Sequence, residues 1–363
     1  GERALCVDPA TLRISVGAVL DVWSCEYDGP LVILDDAELA DLAVTPDHPL
    51  LVRGRDGRAS YVPAGQVAGG EGYSLPAALP LEPASPLTKV NLATYAVRHR
   101  ADVPQGRASL LVAVDGHRRW VDLASLSDGE AEAVAGRAVA IRSRTSAPSL
   151  TPASVEVGDL LELAGFYISA GAYYDRRYPS SDGVKKIRHA TIVLNRNDAA
   201  RLVRALARLG VGYRTEEYND VIEVKFNPYG LLEAIVDEFG VPPKASIPAW
   251  VVLDVPSEAR RRMIEAMTWP TDRGERAFVT RDRRLLDEFV LLSLSAGYHV
   301  RWQKVYGLYR AVVHPQHEVP IGSRSAIATK YRGVMYGVAT SGGCAPLVGR
   351  GRKYAFAGPS GSG

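Results

Sequence analysis

The chain has 363 residues, 47% of them hydrophobic and 23% charged, with 43 Lys and Arg against 41 Asp and Glu. That length exceeds one ordinary core and predicts two or three domains, and the composition is that of a soluble globular protein. No apolar run is long enough to span a bilayer, no signal-peptide pattern opens the chain, and Cys6, Cys25 and Cys344 form neither a disulfide framework nor a metal-ligand spacing.

These properties fit a cytoplasmic protein in a reducing compartment, with no membrane partner. A net charge of +2 says little about nucleic acid, so the distribution of charge matters more than its sum. Abundant Arg, Ala, Gly and Val with few Asn, Met and Phe suit a thermophile and a GC-rich genome alike.

In chain order, residues 6–74 read as short alternating strands, among them Leu31-Val32-Ile33-Leu34, Leu42-Ala43-Val44 and Leu50-Leu51-Val52-Arg53. Gly54-Arg55-Asp56-Gly57 reads as a hairpin turn, and Cys25 as a core residue. Two segments here carry chemistry: Cys6-Val7-Asp8-Pro9-Ala10-Thr11-Leu12, and Val44-Thr45-Pro46-Asp47-His48-Pro49-Leu50. A thiol with a Thr-x-x-His pair can act on its own backbone. The thiol attacks the preceding carbonyl, His48 protonates the departing amide nitrogen, and Thr45 or Asp47 polarises the bond. The reacting bond is then Leu5–Cys6, and residues 1–5 are the remnant of another segment.

Pro-rich Leu75 to Pro86 reads as a linker. Residues 88–150 predict a strand at Ser109 to Val114 and a short helix at Asp128 to Ala135, a small insertion subdomain without an assigned function. From Val157 the period becomes helical, with an apolar helix over Gly158 to Ser169 and an amphipathic one over Asp198 to Leu209. Strands at Ala190 to Leu194 and Val221 to Phe226 flank the latter. Helices at Tyr229 to Phe239, Pro256 to Met267 and Asp282 to Ala296 follow, then strands near 298–303 and 306–313. The order repeats loosely across 157–240 and 256–313, which predicts two similar halves.

The Cys6 segment, the Thr45-Pro46-Asp47-His48 run and Tyr61 to Gly70 together resemble the opening motifs of inteins, in the Hint (hedgehog/intein) fold. The resemblance implies that Cys6 is the splicing nucleophile, that Thr45 and His48 activate the scissile amide, and that flanking extein segments are the partners. It implies no cofactor for splicing. Tyr331 to Thr340 and Lys353 to Gly358 resemble the last two intein strands. Splicing ends with a terminal Asn, yet no Asn follows Asn227; Pro359 stands at that position, with Ser360 as the acceptor nucleophile. Gly337 replaces an acid common in the penultimate strand. The bland alternative for 354–363 is a linker-like tail.

Asp159-Leu160-Leu161-Glu162-Leu163-Ala164-Gly165-Phe166-Tyr167-Ile168-Ser169-Ala170-Gly171 resembles the first LAGLIDADG motif of homing endonucleases, and the likeness extends over about 155–313. In that family two such helices pack through small residues, and an acid at each helix end holds Mg2+ against the scissile phosphate. Here the first acid position is Ala170. The second is Thr271, or Asp272 with one extra residue allowed, and Pro270 breaks the helix there. The expected endonuclease is therefore cleavage-inactive, needing Mg2+ only if active. Binding of double-stranded DNA is expected through Arg176, Arg177, Lys185, Lys186, Arg188, Arg301 and Lys304.

The fold expected from these resemblances is multidomain. An all-β Hint splicing domain comes from both chain ends (6–84 and 319–359), with extein remnants or tail at 1–5 and 360–363. A linker or insertion subdomain spans 85–152, and an inserted α+β LAGLIDADG domain of two pseudo-symmetric halves spans 153–318. Two other readings stay open: a DNA-binding protein on a non-splicing Hint scaffold, and a Hint autoprocessing domain that cleaves only at its N-terminus.

Overall fold

The structure, a computed structural model, describes residues 3–8, 12–34, 42–70, 72–76, 78–144, 148–180, 183–271, 274–315, 318–321, 326–350 and 353–356. It divides into two compact units, one made of Gly1–Ser85, Pro270–Arg281 and Val290–Gly363, the other of Pro86–Trp269 and Asp282–Phe289. The chain is a multi-sheet α+β protein.

The chain enters the first unit with β1 (Arg3–Val7), β2 (Ile14–Leu34), β3 (Leu42–Val44), β4 (Pro49–Arg53), β5 (Ala59–Pro63), helix α1 (Ala64–Gly69) and β6 (Tyr73–Pro76). Leu50, Leu51 and Val52 are all buried, so β4 is covered on both faces rather than alternating. The hairpin expected at Gly54–Gly57 forms, with Gly57 N–H donating to Gly54 O (2.9 Å) and Gly57 at φ +77. Strand β2 runs for 21 residues, far past the expected Leu31–Leu34. Its ends are buried and its middle is exposed, so Cys25 is exposed and not a core residue. The segment read as a linker instead contributes β6 and the buried side chains of Leu75, Ala78 and Leu81.

The second unit takes β7 (Lys89–Asn91), α2 (Leu92–Arg98), β8 (Ala108–Val114), β9 (His117–Asp122), α3 (Asp128–Arg137), β10 (Ala138–Ser143), β11 (Ser149–Pro152) and β12 (Ser154–Glu156). It continues with α4 (Val157–Ala170), β13 (Gly171–Ser180), β14 (Gly183–Asn195), α5 (Arg196–Arg208), β15 (Tyr213–Tyr218), β16 (Val221–Phe226), α6 (Leu231–Phe239), α7 (Ala249–Leu253) and α8 (Ser257–Met267). Asn91 and Asn195 cap α2 and α5 with their side-chain oxygens.

The chain then passes β17 (Trp269–Pro270), β18 (Arg276–Thr280), α9 (Arg283–Ser295), β19 (His299–Val305), β20 (Leu308–His314), β21 (Glu318–Ile321), β22 (Ala326–Thr340), β23 (Ala345–Arg350) and β24 (Lys353–Phe356).

Both chain ends share one sheet, ordered β22-β2-β1-β23-β24 with β3 added to β2. A second sheet, β21-β6-β4-β5, closes on it around Leu34, Val44, Leu50, Val67, Leu75 and Ile321. The sheets β13-β14-β16-β15 and β17-β18-β20-β19 have the same strand order. Each follows a long helix and holds another between its strand pairs, so the two runs have the repeating connectivity expected from the periodicity. Residues 88–150 form a four-stranded sheet, β11-β10-β8-β9, backed by α2 and α3.

Candidate thiol site and nucleic-acid surface

Cys6 sits on β1 opposite Ser15 of β2 on one side and Pro346 of β23 on the other. Its side chain is fully buried. A second thiol, Cys344, lies beside it. The two sulfurs converge over Gly17, where a Cβ would lie 2.8 Å from Cys6 Sγ and 3.2 Å from Cys344 Sγ. Burial, then the neighbouring Cys344, pushes the Cys6 thiol up from 9.0 to about 12. Cys344 Sγ lies 3.6 Å from Thr340 Oγ1 and 3.4 Å from Ser341 O, and Thr340 Oγ1 donates to Cys344 O (3.0 Å). Tyr61 on β5 lies within electrostatic reach of both sulfurs, and its phenol is pushed up to about 12, mainly by burial.

The Thr45–His48 run is a tight turn, with His48 N–H donating to Thr45 O (3.1 Å). The Thr45 hydroxyl bonds the Asp47 carboxyl and holds it below the usual carboxylate range. Asp47 is exposed, whereas His48 is partly buried. His48 Nε2 is buried without a hydrogen-bond partner among the described residues, and burial holds its imidazole below 6.5, in the neutral form. The structure thus brings Cys6 together with Cys344, Thr340 and Tyr61, none of which the sequence reading selected. Cys344 follows a Ser-Gly-Gly turn, the one local signal that could have drawn attention to it. Pro359 and Ser360 lie outside the described residues.

In the second unit, α4 and α8 pack face to face through Gly165. A Cβ there would lie 2.6 Å from Met263 O and 2.8 Å from the Ala266 methyl, so only glycine permits the approach. Ser169 Oγ donates to Gly165 O (2.9 Å). Asp159 and Glu162 are buried at the start of α4. Arg262 of α8 donates to both, at 2.8 Å to Glu162, and Arg208 of α5 lies 2.7 Å from Asp159. Those arginines hold Asp159 below the usual carboxylate range against its burial.

Ala170 ends α4, and its methyl offers no ligand. Helix α8 stops at Met267, three residues before Pro270, and Thr271 N–H donates to Glu275 O (2.7 Å) in the turn that follows. Asp272 lies outside the described residues. No group of three or more His, Cys, Asp or Glu able to hold a metal is found among the described residues. Among the described residues, Ala170 and Thr271 supply no carboxylate at the positions expected to hold Mg2+.

The sheet β13-β14-β16-β15 bears a hollow of about 300 Å³ lined by Tyr174, Arg176, His189, Thr191, Glu223 and Lys225. Tyr174 stacks on His189 at 4.8 Å, and Arg176 lies 5.8 Å from the Tyr174 ring. Lys225 is held by Glu223 (2.8 Å) and Glu216 (3.0 Å). Arg188 points inward, 3.6 Å from both Glu233 and Asp102, with 12% of its side chain exposed. It is therefore not gathered with exposed Arg176. Arg177, Lys185 and Lys186 lie on β13 and β14, at paired positions Arg177↔Lys186 and Tyr178↔Lys185. Arg301 and Lys304 stand on β19 of the other unit, Arg301 partly buried and Lys304 exposed, 5.2 Å from the Tyr309 ring.

No family model matches the sequence, and no curated protein matches it. Among solved structures, a variant of I-DmoI in complex with its target DNA is 11% identical, with a TM-score of 0.35 over 43% of this chain and 89% of that one. The homing endonuclease I-WcaI bound to its DNA recognition sequence gives 10% identity and a TM-score of 0.30 over 44% and 76%. A double mutant of I-SmaMI gives 10% and 0.29 over 43% and 79%. No helix among the described residues is long and apolar enough to cross a membrane.

Proposed function

We propose that this chain is an intein whose Hint-type β domain undertakes an N-to-S acyl shift at Leu5–Cys6 and carries a LAGLIDADG-like, cleavage-inactive DNA-binding insertion. The observation that carries the first part is the setting of Cys6: a buried thiol on a strand held by β2 and β23, so that both chain ends build its surroundings. In the shift, Cys6 Sγ attacks the Leu5 carbonyl carbon. The Leu5–Cys6 C–N bond breaks, the nitrogen takes a proton, and a thioester remains. His48 is the proposed proton donor to that nitrogen, a role that needs the protonated imidazole, which its burial disfavours. With no Asn at the expected position before Ser360, splicing stalls after this step.

The insertion is supported by the glycine-packed α4–α8 pair and the two sheets of equal strand order. Double-stranded DNA is the proposed partner, with Arg176, Arg177, Lys185, Lys186, Arg188, Arg301 and Lys304 as proposed contacts. The inward setting of Arg188 favours a positioning role for it. Cleavage is not proposed, because Ala170 supplies no carboxylate. The proposed domain limits remain 6–84 with 319–359 for the splicing part and 153–318 for the insertion, in the cytoplasm.

The test is incubation of the native chain, extended at its N-terminus, with dithiothreitol, followed by mass spectrometry. Release of the segment ending at Leu5, lost in Cys6→Ala, is expected. No release from the native chain would leave the reading of a DNA-binding protein on a non-splicing scaffold. The high pKa of the Cys6 thiol, about 12, favours that second reading. Release by thiol without ligation when Asn replaces Pro359 would point to an autoprocessing domain.

A further inference from the structure

The sheet β11-β10-β8-β9 has one apolar face and one that is strongly basic. Leu110, Val112, Ile141 and Thr151 alternate into the interior, and a Cβ on Gly230 would meet Ile141 and Leu92 there. The opposite face is set by the register. Ala113 pairs with Arg118, Leu111 with Trp120, and Ser109 with both Asp122 and Arg142. Arg144 N–H donates to Arg107 O (2.8 Å), so these two residues extend the same face. Trp120 is 40% exposed, with the Arg142 guanidinium 4.0 Å from its ring centre.

Four arginines thus share this face with one acid. That acid, Asp122, is spent on backbone, accepting from Gly106 N–H (2.6 Å) and Ala124 N–H (2.9 Å). None of the four guanidinium groups has a carboxylate partner among the described residues; Arg107 donates to Arg144 O (3.2 Å) and Arg142 lies over Trp120. This contrasts with the network around Asp159 and Glu162, where every arginine is paired. Arginines left unpaired on one face favour an anionic partner that supplies the missing charges.

We infer that this face is a second nucleic-acid surface, on which Arg107, Arg118, Arg142 and Arg144 bind the phosphate backbone of duplex DNA. The inference deepens the DNA-binding reading above and rests on it. The spacing of the arginines along the strand argues for DNA over an acidic protein. Tyr229 N–H donates to Ser143 Oγ (2.9 Å), and Arg107 and Arg188 both lie within electrostatic reach of the Tyr229 phenol. The arginine-rich end of β8 and β10 therefore meets, through Tyr229, the inward face of β14 that carries Arg188, opposite the face that bears the hollow. Arg142 and Arg144 stand about 6.8 Å apart along the strand, close to two base-pair rises of about 3.4 Å. Backbone contact of this kind is independent of sequence, so the face adds affinity to whatever the other sheets read.

The test is fluorescence anisotropy of the full chain with a labelled random-sequence duplex between about 50 and 200 mM salt. The variants are Arg118→Gln/Arg142→Gln/Arg144→Gln and, in case Arg142 is needed for folding, Arg118→Gln/Arg144→Gln. Losing three phosphate contacts is expected to make the salt slope shallower by about 2.7, and losing two by about 1.8. Affinity should fall by about 10- to 100-fold for the triple variant, with unchanged circular dichroism. Native chain that binds duplex, with variants of unchanged slope, overturns the inference and leaves the DNA-binding reading standing. Variants that lose affinity for polyglutamate but not for duplex also overturn it, in favour of an acidic protein partner. A native chain that binds no duplex overturns both.

Discussion

The sulfurs of Cys6 and Cys344 meet over Gly17, so residues 338 positions apart share one small space (344 − 6). A methyl group at Gly17 would lie 2.8 Å from Cys6 Sγ and 3.2 Å from Cys344 Sγ. Gly17→Ala is therefore expected to displace the thiol and to destabilise the first unit by about 1–3 kcal/mol. Denaturant unfolding should show the loss, and thiol-induced cleavage should slow at least about tenfold, the loss that about 1.4 kcal/mol on the barrier gives. Unchanged kinetics in a folded variant would contradict the placement of the sulfurs.

The thiol pair also sets a pH dependence. Cys6 titrates at about 12 in the fold against 9.0 ordinarily. Its thiolate, and with it the rate of alkylation or acyl shift, should climb about tenfold per pH unit above neutrality. Because Cys344 raises the Cys6 value, Cys344→Ala should bring the rise to lower pH. The folded chain keeps a proton that the unfolded chain loses near pH 9. The corresponding stability is complete below pH 9 and is lost between pH 9 and about 12. Iodoacetamide labelling of Cys6 against pH checks the first point, and alkaline unfolding the second.

On β19, His299 is 6% exposed and its Nδ1 is buried without a hydrogen-bond partner among the described residues. Burial, with Arg301 and His314 nearby, pulls its pKa from 6.5 to about 4. The unfolded chain binds a proton that the fold refuses, so stability is full above pH 6.5 and falls as pH drops toward 4. The loss is on the order of 3 kcal/mol. His299→Phe should flatten acid unfolding over that window, which pH-dependent urea melts measure.

Gly165→Val should separate α4 from α8. The added carbon would enter 2.6 Å from Met263 O, backbone that moves only with its helix. A loss of about 2–4 kcal/mol is expected, seen as an early transition in urea. Gly136, with nothing within 4 Å of an added Cβ, should accept Ala at no cost.

How much of this was legible follows from where the signal lay. Helices α4, α5 and α8 were readable because their apolar residues recur at helical spacing, and their observed ends fall within a few residues of those expected. The length of β2 was not, because Leu20, Val22 and Cys25 are exposed in a two-stranded ribbon with β22, and pattern reading places such residues in a core. The same assumption misplaced Cys25. Cys6, Thr45 and His48 stood out by spacing, whereas Cys344 enters the site only through the β1–β23 pairing, which no local pattern encodes. Arg188 read as a surface cation because its partners Glu233 and Asp102 are distant in sequence. The basic face of β8–β11 was hidden likewise, its arginines scattered from 107 to 144 and aligned only by register.

The pairing of β2 with β22 sets a clock on the whole molecule. During synthesis, Leu34 and Ala326 are 292 positions apart (326 − 34). At about 5–20 residues per second the ribosome needs roughly 15–60 s to make that stretch. Throughout that interval Cys6 has neither β23 beside it nor Cys344 above Gly17, and its thiol is that of an unfolded chain. Cys6 acquires its surroundings only when almost all of the chain between it and β23 has been made. Any reaction at Leu5–Cys6 that needs the completed pocket is thereby delayed until the intervening chain has had time to fold.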